Sequence, residues 1–87
     1  MSIKGMNHAV LYVRDARAHK EFYSRVFGFI TNIEDKNGQF VFMRAPSSNN
    51  HHDVAFFSIG KNASPSNAGQ KNVGLYHIAW EVETLAE

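Results

Sequence analysis

Apolar, aromatic and β-branched residues dominate residues 6–13, MNHAVLYV, which is the pattern of a β-strand. Successive side chains of a strand point to opposite faces, so the segment divides into two rows. The first row contains Met6, His8, Val10 and Tyr12, and the second contains Asn7, Ala9, Leu11 and Val13. The side of the strand that carries Leu11 and Val13 can accept a helix packed on it.

The spacing of apolar residues becomes helical after this strand. Four of them fall on one helical face: Phe22, Tyr23, Val26 and Phe27. Asp15 is a suitable N-cap, and Gly28 is a suitable C-terminal stop. We therefore predict a helix between these two residues, packed on the Leu11 and Val13 face of the strand.

Three more strand-like segments follow the helix: FITNI, QFVFMRA and DVAFFSIG. The pair Asn37-Gly38 lies between the first two and is typical of a β-hairpin turn. Residues 1–60 are thus predicted to form an α+β fold, a module of strand, helix and three strands (βαβββ).

The chain then repeats its own beginning. Residues 61–73 are rich in Ser, Asn and Gly and predict a linker loop. Residues 74–87 match residues 5–18 at an offset of 69, with the pairs Gly5/Gly74, His8/His77 and Val13/Val82. We expect a strand over residues 75–82 and the start of a helix at residues 83–87.

This repeat predicts a second βαβββ module of which only the beginning is present, with ~40 residues missing. A sheet with a single helix leaves its other face, including Met6 and Tyr12, without cover. We expect a longer chain or a second subunit to supply that cover, which favours a homo-oligomer.

Composition and charge exclude several classes of partner. The 87 residues carry a net charge of +1 without a Lys/Arg cluster, which argues against nucleic acid and anionic membranes. No apolar run approaches the roughly 20 residues that cross a bilayer. There is no Cys, and we expect a cytoplasmic protein that binds small molecules.

Equivalent histidines on equivalent strands suggest a metal site. If the two copies pack about a pseudo-twofold axis, His8 and His77 reach one concave, mostly apolar surface. The alternative is that each is a structural or surface residue, which is the commoner role of a single histidine on a strand. Two imidazoles suit Fe, Mn, Ni and Zn alike, so the metal is not fixed by these residues.

The segments MNHAVLYVRD, FYSRVFGF and GLYHIAWEVETL together resemble the glyoxalase, bleomycin-resistance and extradiol-dioxygenase superfamily, also called vicinal oxygen chelate. FYSRVFGF is similar to the superfamily's F-Y-x-x-x-L-G-F signature at the end of the first helix. The resemblance covers essentially the whole chain and implies paired βαβββ modules around a shared site. The signature says little about the reaction.

Within the superfamily, HHDVAFFSIG followed by GLYHIAWEV looks most like the extradiol ring-cleaving dioxygenases. This resemblance implies that His8 and His77 bind Fe(II), or sometimes Mn(II), and that His52 is an acid/base near the substrate. The implied substrates are an aromatic diol and O₂. The family's carboxylate ligand lies on a strand that these residues do not include.

Other members of the superfamily supply two alternative functions, a bleomycin-resistance-type binding protein without metal and a glyoxalase-like lyase. The lyase uses a Glu on the last strand of the first module, where VAFFSI has no acid and Asp53 is a poor substitute.

Several other side chains have a structural and a functional interpretation. Tyr12 and Phe56 are candidates for a substrate pocket, although aromatic residues in strands are usually core. Trp80 has the same two interpretations. We expect His51 to be a solvated loop residue, which is also the structural alternative for His52, and His19 to lie on the helix exterior. Glu81 is either a stand-in metal ligand or, as we expect, an edge-strand charge.

Overall fold

The computed structural model describes residues 1–84. It contains four strands and one helix in the order predicted for a βαβββ module: β1 (Ala9–Val13), α1 (Ala16–Phe27), β2 (Ile30–Glu34), β3 (Phe40–Arg44) and β4 (Val54–Ser58). The α+β fold class is confirmed. Within residues 1–84, no helix has the length and apolar character needed to span a bilayer.

The four strands form one mixed sheet in the order β1-β4-β3-β2. The first and last strands of the module are neighbours and run parallel, with Ala9 opposite Val54 and Val13 opposite Ser58. The other two pairings are antiparallel. Because β1 and β4 point the same way, the residues that precede them lie at the same end of the sheet.

Both ends of α1 are capped as the sequence predicts. The Asp15 side chain accepts a hydrogen bond from the backbone N–H of Arg17, and Gly28 adopts the left-handed conformation with φ 71°. The N–H of Ala16, which has no partner inside the helix, donates to the Ser58 hydroxyl over 2.7 Å. This contact ties the start of α1 to the end of β4.

The core lies between α1 and one face of the sheet. Its buried residues are Ala16, Phe29, Val41, Met43, Val54 and Phe56, with Leu11, Val13, Tyr23 and Trp80 packed against them. Leu11 and Val13 of β1 therefore face the helix, as predicted. On the opposite face of the sheet, Val10 and Tyr12 are 54% and 77% exposed, and Met6, which precedes β1, is 73% exposed.

The predicted strand over residues 75–82 does not form. Residues 61–84 contain neither a strand nor a helix, and residues 85–87 of the predicted helix start lie outside the described residues. A strand needs a ladder partner, and this segment pairs with neither β1 nor β2 at the edges of the sheet. Trp80 instead packs its ring on Phe29 and Tyr23 at 5.3 and 6.4 Å between centroids.

Candidate functional site

The parallel pairing of β1 and β4 brings two of the predicted site residues together. His8 immediately precedes β1, and His52 lies two positions before β4. The backbone N–H of Ala9 donates to the carbonyl of Asp53 over 3.1 Å and joins the two strands where they begin. The rings of His8 and His52 consequently lie 4.3 Å apart, inclined at 54°.

The ring of His52 is half-buried between other rings. It lies 4.7 Å from Phe42 in an edge-to-face arrangement, and its Nδ1 is 3.0 Å from Nδ1 of His51. Burial lowers the pKa of His52, and the neighbouring His8 and His51 lower it further against a smaller opposite effect of Asp53. The imidazole of His52 is therefore neutral at neutral pH and able to accept a proton.

Asp53 is a structural carboxylate at the start of β4. It accepts hydrogen bonds from the Ala45 backbone N–H (2.8 Å), the Ser48 hydroxyl (3.0 Å) and the Asn50 side chain (2.7 Å). Partial burial acts to raise the pKa of Asp53, but these hydrogen bonds outweigh it and hold the pKa below its ordinary value. The carboxylate is thus engaged in holding the loop before β4, which argues against its use as a metal ligand.

Two asparagines that the sequence analysis did not single out complete the surroundings of His8. Nδ1 of His8 lies 2.7 Å from Oδ1 of Asn7, and Nδ2 of Asn7 donates to Oδ1 of Asn50 over 3.2 Å. Asn50 also donates from Nδ2 to the backbone carbonyl of Asn7. The only sequence signal for this arrangement is the polar run SSNNHHD, because a loop with so many polar side chains is expected to form hydrogen bonds with its neighbours.

The structure does not bring His77 to His8. His77 is exposed, and no ring contact or hydrogen bond joins it to His8 or His52 in the described part of the chain. Glu81 is exposed as well. Across residues 1–84, no three His, Cys, Asp or Glu side chains are grouped so that they could hold a metal ion.

An apolar depression of about 350 Å³ lies on the open face of the sheet, next to the histidine pair along β1. It is lined by Val10, Tyr12 and Phe57. The structure places Tyr12 in this lining but puts Phe56 elsewhere, since Phe56 is 1% exposed in the core under α1. Phe57 has the position that the sequence analysis assigned to Phe56, because VAFFSI is apolar throughout and does not reveal which face each Phe occupies.

The two remaining histidines have structural surroundings. His51 is exposed, and its backbone carbonyl accepts a hydrogen bond from the side chain of Asn32. His19 was expected on the helix exterior, and this expectation is corrected. Its ring is half-buried and packs 5.0 Å from the ring of Phe56, because the first turns of α1 lie directly on β4.

The sequence was compared with protein families, with curated proteins and with solved structures, and only a family matches. No curated protein and no solved structure matches the chain significantly. The sequence profile of the Glyoxalase/Bleomycin resistance protein/Dioxygenase superfamily matches residues 5–87. This match covers nearly the whole chain and agrees with the observed βαβββ module. The chain therefore belongs to the Glyoxalase/Bleomycin resistance protein/Dioxygenase superfamily.

Proposed function

We propose that this protein is a metal-dependent member of the superfamily that opens the ring of a catechol-type aromatic diol with O₂. In this proposal His8 is a metal ligand and His52 is the acid/base that handles the substrate proton. The observation that supports it is the contact between these two imidazoles, 4.3 Å between centroids, on the open face of the sheet. Two imidazoles at this separation can both reach one small molecule bound beside them.

Imidazole donors suit Fe(II) and Mn(II), but within residues 1–84 only His8 of the proposed ligands lies at the site, and no three ligands are grouped there. Metal-binding histidines commonly donate their second ring N–H to an oxygen acceptor, and His8 has such a partner in Asn7. His77 is exposed and is the proposed second ligand. Two imidazoles and one carboxylate form a ligand set that suits Fe(II) and leaves positions open. The carboxylate would come from outside the described residues.

A bound Fe(II) ion would supply open coordination positions for both the diol and O₂. His52, which is neutral at neutral pH, would accept a proton from a diol hydroxyl and return it to the ring-opened product. Val10, Tyr12 and Phe57 would bind the aromatic ring and exclude water. Both atoms of O₂ enter the product as one ring C–C bond breaks, so the reaction needs no further oxidant or reductant.

Association of chains is part of this proposal, because His77 must approach His8 and the open face must be covered. The exposed side chains of Val10 and Tyr12, with Phe57 beside them, form an apolar surface suited to packing against another module. A second copy of the chain would supply both the cover and a second set of ligands.

Anaerobic titration with Fe(II), followed by metal analysis, tests the ligand assignment. We expect about one tightly bound ion per complete site in the wild-type protein and its loss in His8→Ala. His51→Ala is the matched control, since its exposed ring also contacts His52, and it should retain the metal. Equal metal content in His8→Ala and wild type would overturn the assignment.

Turnover of catechol-type diols tests the role of His52. His52→Ala should keep its iron but lower kcat by about 10²- to 10⁴-fold, the usual contribution of a positioned acid/base. Unchanged turnover in this variant would remove His52 from the mechanism.

A second candidate function is metal-free binding of a small aromatic molecule. The apolar depression formed by Val10, Tyr12 and Phe57 favours it, because this surface alone can bind an aromatic ring. Calorimetry with aromatic ligands in the presence of a chelator separates the two functions. Tight binding under those conditions, with no uptake of Fe(II), would replace the enzymatic proposal by this one.

A further inference from the structure

The side chains of Asp53, Asn50, Asn7 and His8 form one continuous hydrogen-bonded chain. The distances between successive polar atoms are 2.7 Å from Asp53 to Asn50, 3.2 Å from Asn50 to Asn7 and 2.7 Å from Asn7 to His8. This series of hydrogen bonds, called the relay below, connects a carboxylate just before β4 with an imidazole just before β1. Amides and imidazoles can each be oriented in two ways, so the direction of every bond must be derived.

The direction at Asn50 is fixed by two groups that can only accept. Asp53 is an ionised carboxylate, since hydrogen bonds hold its pKa below the ordinary value. The backbone carbonyl of Asn7, 3.2 Å from Nδ2 of Asn50, is an acceptor under all conditions. Asn50 must therefore turn its NH₂ group to both of them and its carbonyl oxygen to Asn7.

The direction at the remaining two links follows from this one. The carbonyl oxygen of Asn50 requires a donor, so Asn7 presents its NH₂ group to Asn50 and its own carbonyl oxygen to His8. That oxygen lies 2.7 Å from Nδ1 of His8, and two acceptors would repel each other at this distance, so Nδ1 carries the proton. The neutral imidazole of His8 then has its lone pair on Nε2.

We propose that Asp53, Asn50 and Asn7 are positioning residues that hold His8 in the Nδ1–H tautomer and keep its Nε2 free to bind a ligand. An unrestrained neutral histidine in water carries its proton mainly on Nε2. This relay opposes that preference and fixes the plane of the ring. The tautomer is a property of the metal-free protein, whereas its use in metal binding rests on the proposed function.

Imidazole ¹⁵N shifts of the metal-free protein at about pH 8, above the ordinary histidine pKa of about 6.5, test the tautomer directly. We expect a protonated Nδ1 and an unprotonated Nε2 for wild-type His8. One exposed hydrogen bond biases such a ratio by about 2- to 10-fold, so Asn7→Ala should shift it toward Nε2–H by that factor. Asn7→Asp, which retains an acceptor oxygen, should keep the Nδ1–H form.

Asn50→Ala distinguishes the relay from a simple contact between neighbours. It leaves Asn7 in place but frees its amide to rotate, so the two tautomers of His8 should become more evenly populated. Asn72→Ala is the matched control, because Asn72 is exposed and far along the chain, and it should leave the tautomer unchanged. Backbone amide shifts of β4 report whether each variant retains the fold.

Calorimetric titration with Zn(II) tests the consequence for ligand binding. Loss of such an outer partner commonly weakens metal binding by about 10- to 100-fold, and we expect that loss in Asn7→Ala. The proposal is overturned if wild-type His8 is the Nε2–H tautomer, or if Asn7→Ala and Asn50→Ala both leave the ratio unchanged. If the tautomer is as expected but no metal binds, the proposed function fails and the relay stands.

Discussion

Asp53 shows how one residue can serve the fold and the candidate site together. Its backbone N–H donates to the carbonyl of Met43 and its carbonyl accepts from Ala9, so it joins three strands. Its carboxylate holds the loop of Ala45 and Ser48 and also fixes the orientation of Asn50. The stability of the fold and the geometry at His8 thus both depend on the negative charge of the Asp53 carboxylate.

This dependence predicts a loss of stability in acid. The folded state holds the pKa of Asp53 below that of the unfolded chain, so the unfolded chain binds the proton first as the pH falls. The stabilisation is therefore complete above pH ~4 and is lost as the pH falls through the folded-state pKa. Urea unfolding between pH 7 and pH 2 should show this decline in the wild-type protein.

Asp53→Asn should be about 1 to 3 kcal/mol less stable at pH 7 and should show a shallower decline below pH 4. Glu21→Gln changes an exposed carboxylate of α1 and is the control. If the two variants have the same pH profile as the wild type, Asp53 is not the group responsible.

At the scale of elements, β4 presents its two adjacent phenylalanines to opposite sides of the sheet. Phe56 is 1% exposed and packs on Tyr23 and His19, each 5.0 Å away between centroids. Phe57 is half-buried beside Phe40 on the open face. The same substitution at neighbouring positions should therefore have different effects.

Phe56→Ala should lower the free energy of unfolding by about 3 to 5 kcal/mol, because it leaves a cavity in the core. Phe57→Ala should cost roughly 1 kcal/mol, since its ring already contacts solvent, but it should weaken the binding of aromatic ligands. Urea unfolding and ligand titration of both variants measure this contrast. A greater loss of stability in Phe57→Ala would place the core on the other face of the sheet.

The elements that the sequence predicts correctly are those that local pattern and capping determine. Asp15 and Gly28 bound the helix, and Gly38, with φ 77°, allows the turn between β2 and β3. Residues 75–82 have the composition of a strand but no ladder partner, and pairing is a non-local property that composition cannot supply.

The candidate site was predictable only in part, for the same reason. The family resemblance assigned roles to His8 and His52, but their contact depends on the parallel pairing of β1 and β4. Asn7 and Asn50 are 43 positions apart and meet only through the path of the loop before β4. Nothing in the spacing of these residues indicates that they share a hydrogen bond.

At the scale of the whole molecule, the described residues leave one sheet face open and apolar. This predicts self-association through that face. Val10→Asp places a charge on the open face, where Val10 is 54% exposed, and should convert an oligomer into monomers in sedimentation velocity experiments.

Val26→Asp is the matched control, because Val26 is 49% exposed on α1, and it should sediment like the wild type. A wild-type protein that stays monomeric at all concentrations would contradict association through the open face. Equal dissociation of both variants would place the interface elsewhere.

The adjacency of β1 and β4 also determines when the histidine pair can exist during folding. The hairpin of β2 and β3 closes over a short loop. By contrast, β1 pairs with β4, which follows both the helix and that hairpin in the sequence. Contacts between distant segments form slowly, because their loop-closure entropy is lost before any contact stabilises them. The approach of His8 to His52 would therefore be a late event, and a fluorescent or NMR probe at either ring would report the completion of the sheet rather than its nucleation.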